Sequence, residues 1–545
     1  MTEYPTTSQV PGLLDEYVAW YFDSQPIDAS AAGADGYDHL LNDFSAAAFQ
    51  RREREQDGWL DRFESVPEGE LGLNALINRD LVIAQLRGDR VLADWQAWRR
   101  NPAIYVSPVF SALHLPFLHQ MRPEPELVDA VTARLAQVPS ALAACRANLD
   151  QRLTAPLLVR RTLGQVEGGR RFVTETLPAK VTDESRRARL AEAAEPAAEA
   201  FDELAAFLAE LAGRASGDWR MGEHLYSRLL IEQELLGFGA DELNRRGRRE
   251  WDRLNAELTE LAERMSDADG GWRQIVKRLA DDHPPTLEAM RAEYAAATRQ
   301  ARQFLAEREL VSFAEGETCL VEPSPAFLRT QFAVAFYIAA PALSSSRTGH
   351  FFVPFTPDGY PPEQVRQRLR GNFRAQMPTT AVHEAYPGHH WHMSWMAGSP
   401  HPVRKLFDTP YFNEGWALYV EKMMREQGFF TQPGDELAHL QARIFRAARM
   451  VVDTALHSGE MSIAEADQFM VDKASLNQET AVAEVERYCS WPTQAPSYLT
   501  GSLQIEQMRA DYLAAERGDL RSFHDTLAGS GSLPLGLARR AVLEG

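Results

Sequence analysis

Trp251-Asp-Arg-Leu-Asn-Ala-Glu-Leu-Thr-Glu-Leu-Ala-Glu-Arg-Met265 places apolar side chains at Trp251, Leu254, Leu258, Leu261 and Met265, with Arg, Asn and Glu between them. Spacings of three and four return a side chain to one side of a helix, so the stretch reads as an amphipathic helix that buries a single stripe. Residues 183–213, rich in Ala, Leu and Glu, read the same way, and helical periodicity prevails over most of the chain. The expected fold class is mostly α. An N-terminal helical lobe over 1–270 and a C-terminal lobe over 271–545 that carries the chemistry are expected.

Breakers gather in two places, Ser266-Asp-Ala-Asp-Gly-Gly271 and residues 341–362, the latter holding Ser344-Ser-Ser346, Gly349, Pro354, Pro357 and Gly359. Between them His350-Phe-Phe-Val-Pro354 is the best strand candidate, so a small β element is expected near residues 318–354. Such a strand could receive an extended peptide by main-chain pairing; a structural hairpin is the alternative. No fixed-period repeat is present.

Composition removes several functions. The chain has 545 residues, 45% hydrophobic and 25% charged, and a net charge of −20. That charge repels phosphate backbones and anionic membranes, so nucleic acid is not an expected partner. Three scattered cysteines, Cys145, Cys319 and Cys489, form neither a disulfide framework nor a Cys-x-x-Cys metal site and suit a reducing cytoplasm. Met1-Thr-Glu-Tyr-Pro-Thr-Thr-Ser-Gln-Val10 lacks the basic start and apolar stretch of a secretory signal. The longest apolar run, 332–343, contains Pro341 and is too short to span a bilayer.

The chemistry concentrates in His383-Glu-Ala-Tyr-Pro-Gly-His-His390. In His-Glu-x-x-His, two imidazoles four apart share a helix face and one zinc ion, and the glutamate takes a proton from the attacking water. Here Pro387 stands at the fifth position. On an unbroken helix His390 would lie roughly 10 Å beyond His383, at 1.5 Å rise per residue. Proline clashes with the carbonyl four residues back, and Gly388 accepts almost any backbone geometry. A kink or bulge looping Pro387-Gly388 out of the helical path would return His389 to the missing ligand's place, with His390 in reserve. A structural histidine-rich turn is the alternative, but five of the fourteen histidines fall between His383 and His401, which favours metal.

Catalytic zinc keeps three protein ligands and leaves a position for water. Phe412-Asn-Glu-Gly-Trp-Ala-Leu-Tyr-Val-Glu421 reads as a mostly buried helix with Glu414 and Glu421 on one face. Glu414 is the expected third ligand, since Gly415 would let another helix come close. Glu421 is placed to orient a liganding histidine. On the next helix Arg446, Arg449, Asp453 and His457 form a polar stripe. Pairing of either arginine with Asp453 is the structural reading; His457 could instead contact substrate or transition state. Beyond a capping box at Ser462-Ile-Ala-Glu465, Arg487-Tyr-Cys-Ser-Trp-Pro-Thr-Gln-Ala-Pro-Ser-Tyr-Leu-Thr-Gly501 offers Tyr498 as an oxyanion donor.

Together the His383–His390, Glu414–Glu421, Val452–His457 and Arg487–Gly501 segments resemble family 885 among the domains of unknown function. That bacterial family is similar to helical gluzincin peptidases, among them thermostable carboxypeptidases and angiotensin-converting-enzyme-like oligopeptidases. The resemblance implies a bilobed helical body with a deep groove, zinc at its bottom and short or flexible peptides as substrates. It also implies a tyrosine near the substrate, here Tyr498. This chain departs from those peptidases in its Pro-Gly insertion, which leaves the second ligand open.

The expected function is zinc-dependent hydrolysis of peptide or related amide bonds. Zn2+ would sit on His383, His389 and Glu414, Glu384 would be the general base, Tyr498 or His457 would stabilise the oxyanion, and Arg487 would hold a substrate carboxylate. Two rivals stand beside it. A non-catalytic descendant would bind peptides or only keep the fold, and a di-iron oxidase would need two Glu-x-x-His motifs where the chain offers Glu436-Leu-Ala-His439. None of these motifs encodes an oligomeric state.

Overall fold

The computed structural model describes residues 9–265, 271–325, 328–329 and 333–545. Of the stretches singled out above, residues 1–8, the turn at 266–270 and Phe332 lie outside the described residues. Contacts divide the chain into two units, Met1–Met221 with Pro341–Ser344, and Gly222–Ala340 with Ser345–Gly545. Both are built of helices, so the fold is mostly α.

The longest described helix of the first unit, α1 (Glu184–Arg214), starts where Asp183 accepts a hydrogen bond from the Arg186 amide at 2.8 Å. It buries Leu190, Phe201, Leu204, Leu208 and Leu211 along one side.

In the second unit α2 (Ala240–Arg264) buries Leu254, Leu258 and Leu261, three members of the stripe read from the sequence. α3 (Leu287–Arg308) follows, then β1 (Thr318–Pro323), β2 (Phe336–Ile338) and β3 (Thr348–Val353). The sheet order is β1-β3-β2. β1 runs parallel to β3 with Thr318 opposite Thr348, and β2 runs antiparallel with Tyr337 opposite Phe351. This corrects one expectation. Over His350–Phe352 the predicted strand has partners on both sides, so it cannot take a peptide; the outer edges belong to β1 and β2.

The remaining helices that matter for the site are α4 (Met377–Glu384), α5 (His389–Met396), α6 (Pro410–Glu426), α7 (Pro433–Ser458), α8 (Ile463–Ala474), α9 (Gln478–Ser490) and α10 (Ser497–Ala514). α6 begins with Pro410 in its first turn and Thr409 as cap, its side chain accepting from the Tyr411 amide at 3.1 Å. α8 has the reciprocal capping box expected at Ser462 and Glu465. No described helix is long and apolar enough to cross a membrane.

Two glycines set a close helix crossing. A Cβ on Gly415 of α6 would lie 2.5 Å from the Gly501 Cα, and one on Gly501 of α10 would lie 2.0 Å from the Tyr411 carbonyl oxygen. Main chain therefore meets main chain, with no flexible side chain to yield. α2 approaches α7 in a milder way, where a Cβ on Gly247 would stand 2.7 Å from the Met450 Cβ. Asn244 adds hydrogen bonds to the Val451 carbonyl at 3.1 Å and to Thr454 Oγ1 at 2.8 Å.

Overpacking usually costs about 1–3 kcal/mol, and a methyl pressed on backbone belongs at the upper end. Gly415→Ala and Gly501→Ala should each lower the melting temperature by several degrees in calorimetry. Gly58→Ala, at an exposed helical position where a Cβ meets nothing within 4 Å, should leave it unchanged or raise it. Equal melting temperatures for all three variants would show that the crossing does not constrain the fold.

Candidate metal centre

The chain from His383 to His390 is two helices, not one kinked helix. α4 ends at Glu384, Ala385 leaves the helical region at φ −116° and ψ −81°, the Tyr386–Pro387 peptide is cis, and α5 starts at His389. Gly388 makes the turn possible. Its amide donates to the Val382 carbonyl at 2.9 Å, and a Cβ there would fall 1.8 Å from the His383 carbonyl oxygen. Trp416 of α6 donates its indole N–H to the Pro387 carbonyl at 2.8 Å and so ties the turn to the next helix. As a result the His389 ring stands 4.9 Å from the His383 ring and perpendicular to it.

Glu414 joins this pair. Its Oε2 lies 3.4 Å from His383 Nε2 and 3.3 Å from His389 Nε2, and one donor atom from each of the three lies within 4.8 Å of the other two. Donors placed tetrahedrally around zinc at about 2.0–2.1 Å are themselves about 3.3 Å apart. The spacing and the donor chemistry, two imidazole nitrogens with one carboxylate, both fit that ion. The charges agree. Burial pushes His383 down, yet Glu414 and Glu421 hold it up at about 10. Burial pushes Glu414 up, yet His383 and His389 keep it well below the carboxylate range. The site therefore favours positive charge.

Glu421 fixes the tautomer of His383. It is 2% exposed, and its Oε1 accepts from His383 Nδ1 at 2.8 Å, which leaves Nε2 turned toward Glu414 and His389. Its Oε2 accepts from Thr379 Oγ1 at 2.6 Å and His439 Nδ1 at 3.3 Å. Glu384, beside His383, is buried. Burial raises its pKa and Glu414 raises it further, against His383, His389 and Arg446.

Tyr498 reaches the same place from α10. Its ring lies 6.3 Å from that of His383, nearly parallel to it, and Gln494 Nε2 donates to its hydroxyl at 3.5 Å. Burial, then Glu414, keeps the phenol protonated. Arg446 and Arg449 stand over the ring at 5.6 and 4.7 Å from its centre.

Other expected residues go elsewhere. His390 turns away to Glu317, its Nε2 2.8 Å from Oε2, with its Nδ1 3.0 Å from the Tyr337 hydroxyl; the reserve ligand is thus committed to the sheet side of α5. His457 is not brought to the triad. Its Nε2 is 3.1 Å from the Tyr488 carbonyl oxygen and its ring stacks on Tyr226. Asp453 pairs with neither arginine of its stripe; it accepts from the Tyr226 hydroxyl and from the Thr493 amide at 3.2 Å. Arg449 instead meets Glu484 at 2.8 Å, and Arg487 meets the same carboxylate at 3.0 Å and Gln494 besides. Arg487 is therefore already engaged where a substrate carboxylate was expected. His392 is fully buried against Phe412 and Trp416, both ring nitrogens lacking a hydrogen-bond partner among the described residues, and burial pushes it down to about 3.

Several members escaped the sequence reading. Thr379 lies one helical turn before His383, a spacing that could have exposed it. Glu484 stands three and four residues before Arg487 and Tyr488, the same kind of signal. His439 was seen only as part of a Glu-x-x-His. Tyr337, whose ring lies 6.4 Å from the His389 ring, gave no signal, because β2 brings it there.

The family described as "Bacterial protein of unknown function (DUF885)" matches residues 26–542, and the chain belongs to it. Two solved structures share the fold. A candidate lipoprotein of unknown function from Shewanella oneidensis superposes with a TM-score of 0.79 at 21% identity, covering 98% of this chain and 99% of that one. A candidate lipoprotein from Colwellia psychrerythraea gives 0.84 at 17% identity, covering 98% of each. At those identities the likeness establishes the fold alone. No curated protein matches the chain.

Asp453 supplies a pH signature. Burial raises it from 3.8 to about 7, against the Tyr226 hydroxyl and the Thr493 amide. The folded protein then keeps a proton that the unfolded chain releases near pH 3.8, so this group's stabilisation is complete below that pH and is lost as pH rises through about 7. Asp453→Asn, neutral throughout, should gain on the wild type between pH 5 and pH 8 in urea midpoints. A constant difference at the two pH values would show that Asp453 is ionised in the folded protein.

Proposed function

We propose that this member of the DUF885 family is a zinc-dependent hydrolase of peptide or related amide bonds in short substrates. One observation carries it: Glu414 Oε2 stands 3.4 and 3.3 Å from the Nε2 atoms of His383 and His389, all three donors lie within 4.8 Å of one another, and the buried carboxyl of Glu384 follows His383 in the chain. Held by those three residues, zinc would lend Lewis acidity to the attacking water and to the scissile carbonyl.

The chain's own groups do the rest. Glu384 takes one proton from the water as its oxygen bonds to the carbonyl carbon, and returns it to the leaving nitrogen as the C–N bond breaks. Its raised pKa suits both halves of that exchange, since a weakly basic carboxylate would release the proton but not take it. Tyr498 donates its hydroxyl proton in a hydrogen bond to the developing oxyanion. Glu421 holds His383 in the required tautomer, with Thr379 and His439 fixing Glu421 in turn. The resemblance to helical gluzincin peptidases read from the sequence motifs supports the finer reading, short or flexible peptides as substrates. Unpaired Cys145, Cys319 and Cys489 suit a cytoplasmic enzyme; the lipoprotein descriptions of the two solved neighbours offer the competing location, and cell fractionation separates the two.

Protein purified without added metal should contain one zinc per chain by elemental analysis and should cut members of a short-peptide library. Glu414→Ala should lose the metal. Glu384→Gln should keep it while cleavage falls by roughly 10²–10⁴-fold, the usual reach of a general base. Full cleavage by Glu384→Gln would remove the proposed base, metal retained in Glu414→Ala would remove the proposed ligand set, and no cleavage by the zinc-loaded wild type would leave a non-catalytic member of the fold.

A further inference from the structure

The three arginines around Tyr498 differ in what answers their charge. Glu484 serves two of them. Its Oε2 meets Arg449 Nη2 at 2.8 Å and Arg487 Nη2 at 3.0 Å, and also accepts from the Tyr488 hydroxyl at 2.7 Å. Arg449 adds a bond from Nε to the Tyr488 hydroxyl at 3.2 Å, and Arg487 adds one to Gln494. Arg446 is treated differently. Its Nη1 donates to the Ala442 carbonyl of its own helix at 3.0 Å, while its buried Nε has no hydrogen-bond partner. Among the described residues no carboxylate pairs with it.

A guanidinium has five N–H donors in a planar fork. Leaving the buried Nε without an acceptor costs free energy unless an anion arrives. Arg446 is also the arginine whose charge bears on the triad's surroundings. It lowers the pKa of both Glu384 and Glu421, and its own charge, opposed by burial and by Arg449, is favoured by Glu421, Tyr498 and Glu414, with its guanidinium 5.6 Å from the centre of the Tyr498 ring. Two of those carboxylates are already engaged. Glu421 is filled by His383, Thr379 and His439, and Glu414 faces the two imidazoles. With three carboxylates this close, a singly charged ligand group is better tolerated than a doubly charged one.

We propose that Arg446 anchors a substrate carboxylate, so that the enzyme prefers short peptides or amides bearing a free carboxylate near the scissile bond. The role expected of Arg487 from the sequence thereby passes to Arg446, since Arg487 is bound to Glu484 and Gln494. The carboxylate is the substrate's C-terminus or an acidic side chain beside the cleaved bond. This inference rests on the hydrolase reading, and the test below separates the two.

Zinc-loaded wild type, Arg446→Gln and Arg446→Lys are compared on three matched peptides: a C-terminal acid, its C-terminal amide, and an amide whose last residue is Asp. The wild type should favour a carboxylate-bearing peptide over the plain amide. Arg446→Gln should lower kcat/KM for that peptide by roughly 10- to 100-fold more than for the plain amide, the reach of a hydrogen-bonded charge, mainly through KM. Arg446→Lys should recover part of the loss. Which carboxylate-bearing peptide responds identifies the source. Equal cleavage of acid and amide by the wild type, or an equal loss on all three in Arg446→Gln, overturns the anchor while the hydrolase assignment stands.

A binding arm keeps the anchor testable without turnover. Calorimetric titration of Glu384→Gln with an N-blocked dipeptide acid and its amide should show tighter binding of the acid, lost when Arg446→Gln is added. Tight acid binding without any cleavage by the wild type would keep the anchor and remove the hydrolase. Equal affinity for acid and amide would remove the anchor whether or not the protein cleaves. Zinc content and melting temperature, read on every variant, exclude misfolding as the cause of a loss.

Discussion

A single buried carboxylate, Glu421, holds the site together. A charge taken out of water is tolerated only when donors surround it, and Glu421 collects them from two other helices, Thr379 and His383 on α4 and His439 on α7. Burial opposes its ionisation, yet His383 and His439 keep it well below the carboxylate range. Three helices are thereby registered against one another by one side chain. The same bonds decide which nitrogen of His383 is free, so the orientation of the first donor follows from the packing of the core.

The other donors are placed by close contact of backbone. Gly388 brings the start of α5 against the end of α4, and Gly415 with Gly501 brings α6 against α10. Glu414 precedes Gly415 by one residue, and Tyr498 precedes Gly501 by three. The residues with chemistry thus stand next to the residues with no side chain. Electrostatics then sorts the polar stripe of α7: Arg449 is neutralised by Glu484, Asp453 takes the Tyr226 hydroxyl, and Arg446 is left facing Tyr498.

Local rules made much of this legible. Helical spacing identified α2 and α7, and the capping box at Ser462 was visible because both its halves lie within four residues. His383, His389 and Glu414 were found together because an interrupted motif, a breaking proline and an adjacent glycine each have a local meaning. What was missed depends on tertiary partners. The break between α4 and α5 is wider than a kink, since the Gly388 turn packs onto the carbonyls of Val382 and His383, and no propensity encodes that depth of contact. Asp453 and Arg449 have ideal spacing for each other yet pair with Tyr226 and Glu484, because partners from other elements offered buried, better oriented bonds. β3 was recognised as a strand, but its central position is fixed by β1, thirty residues earlier in register.

The crossing at Gly415 and Gly501 has a consequence for how the site can vary. A contact of main chain on main chain has no rotamer to change and no room to compress, so it acts as a fixed gauge for the distance between the α6 and α10 segments that carry Glu414 and Tyr498. Spacing of that kind is written into the backbone instead of the side chains, and would survive many changes of surrounding residue.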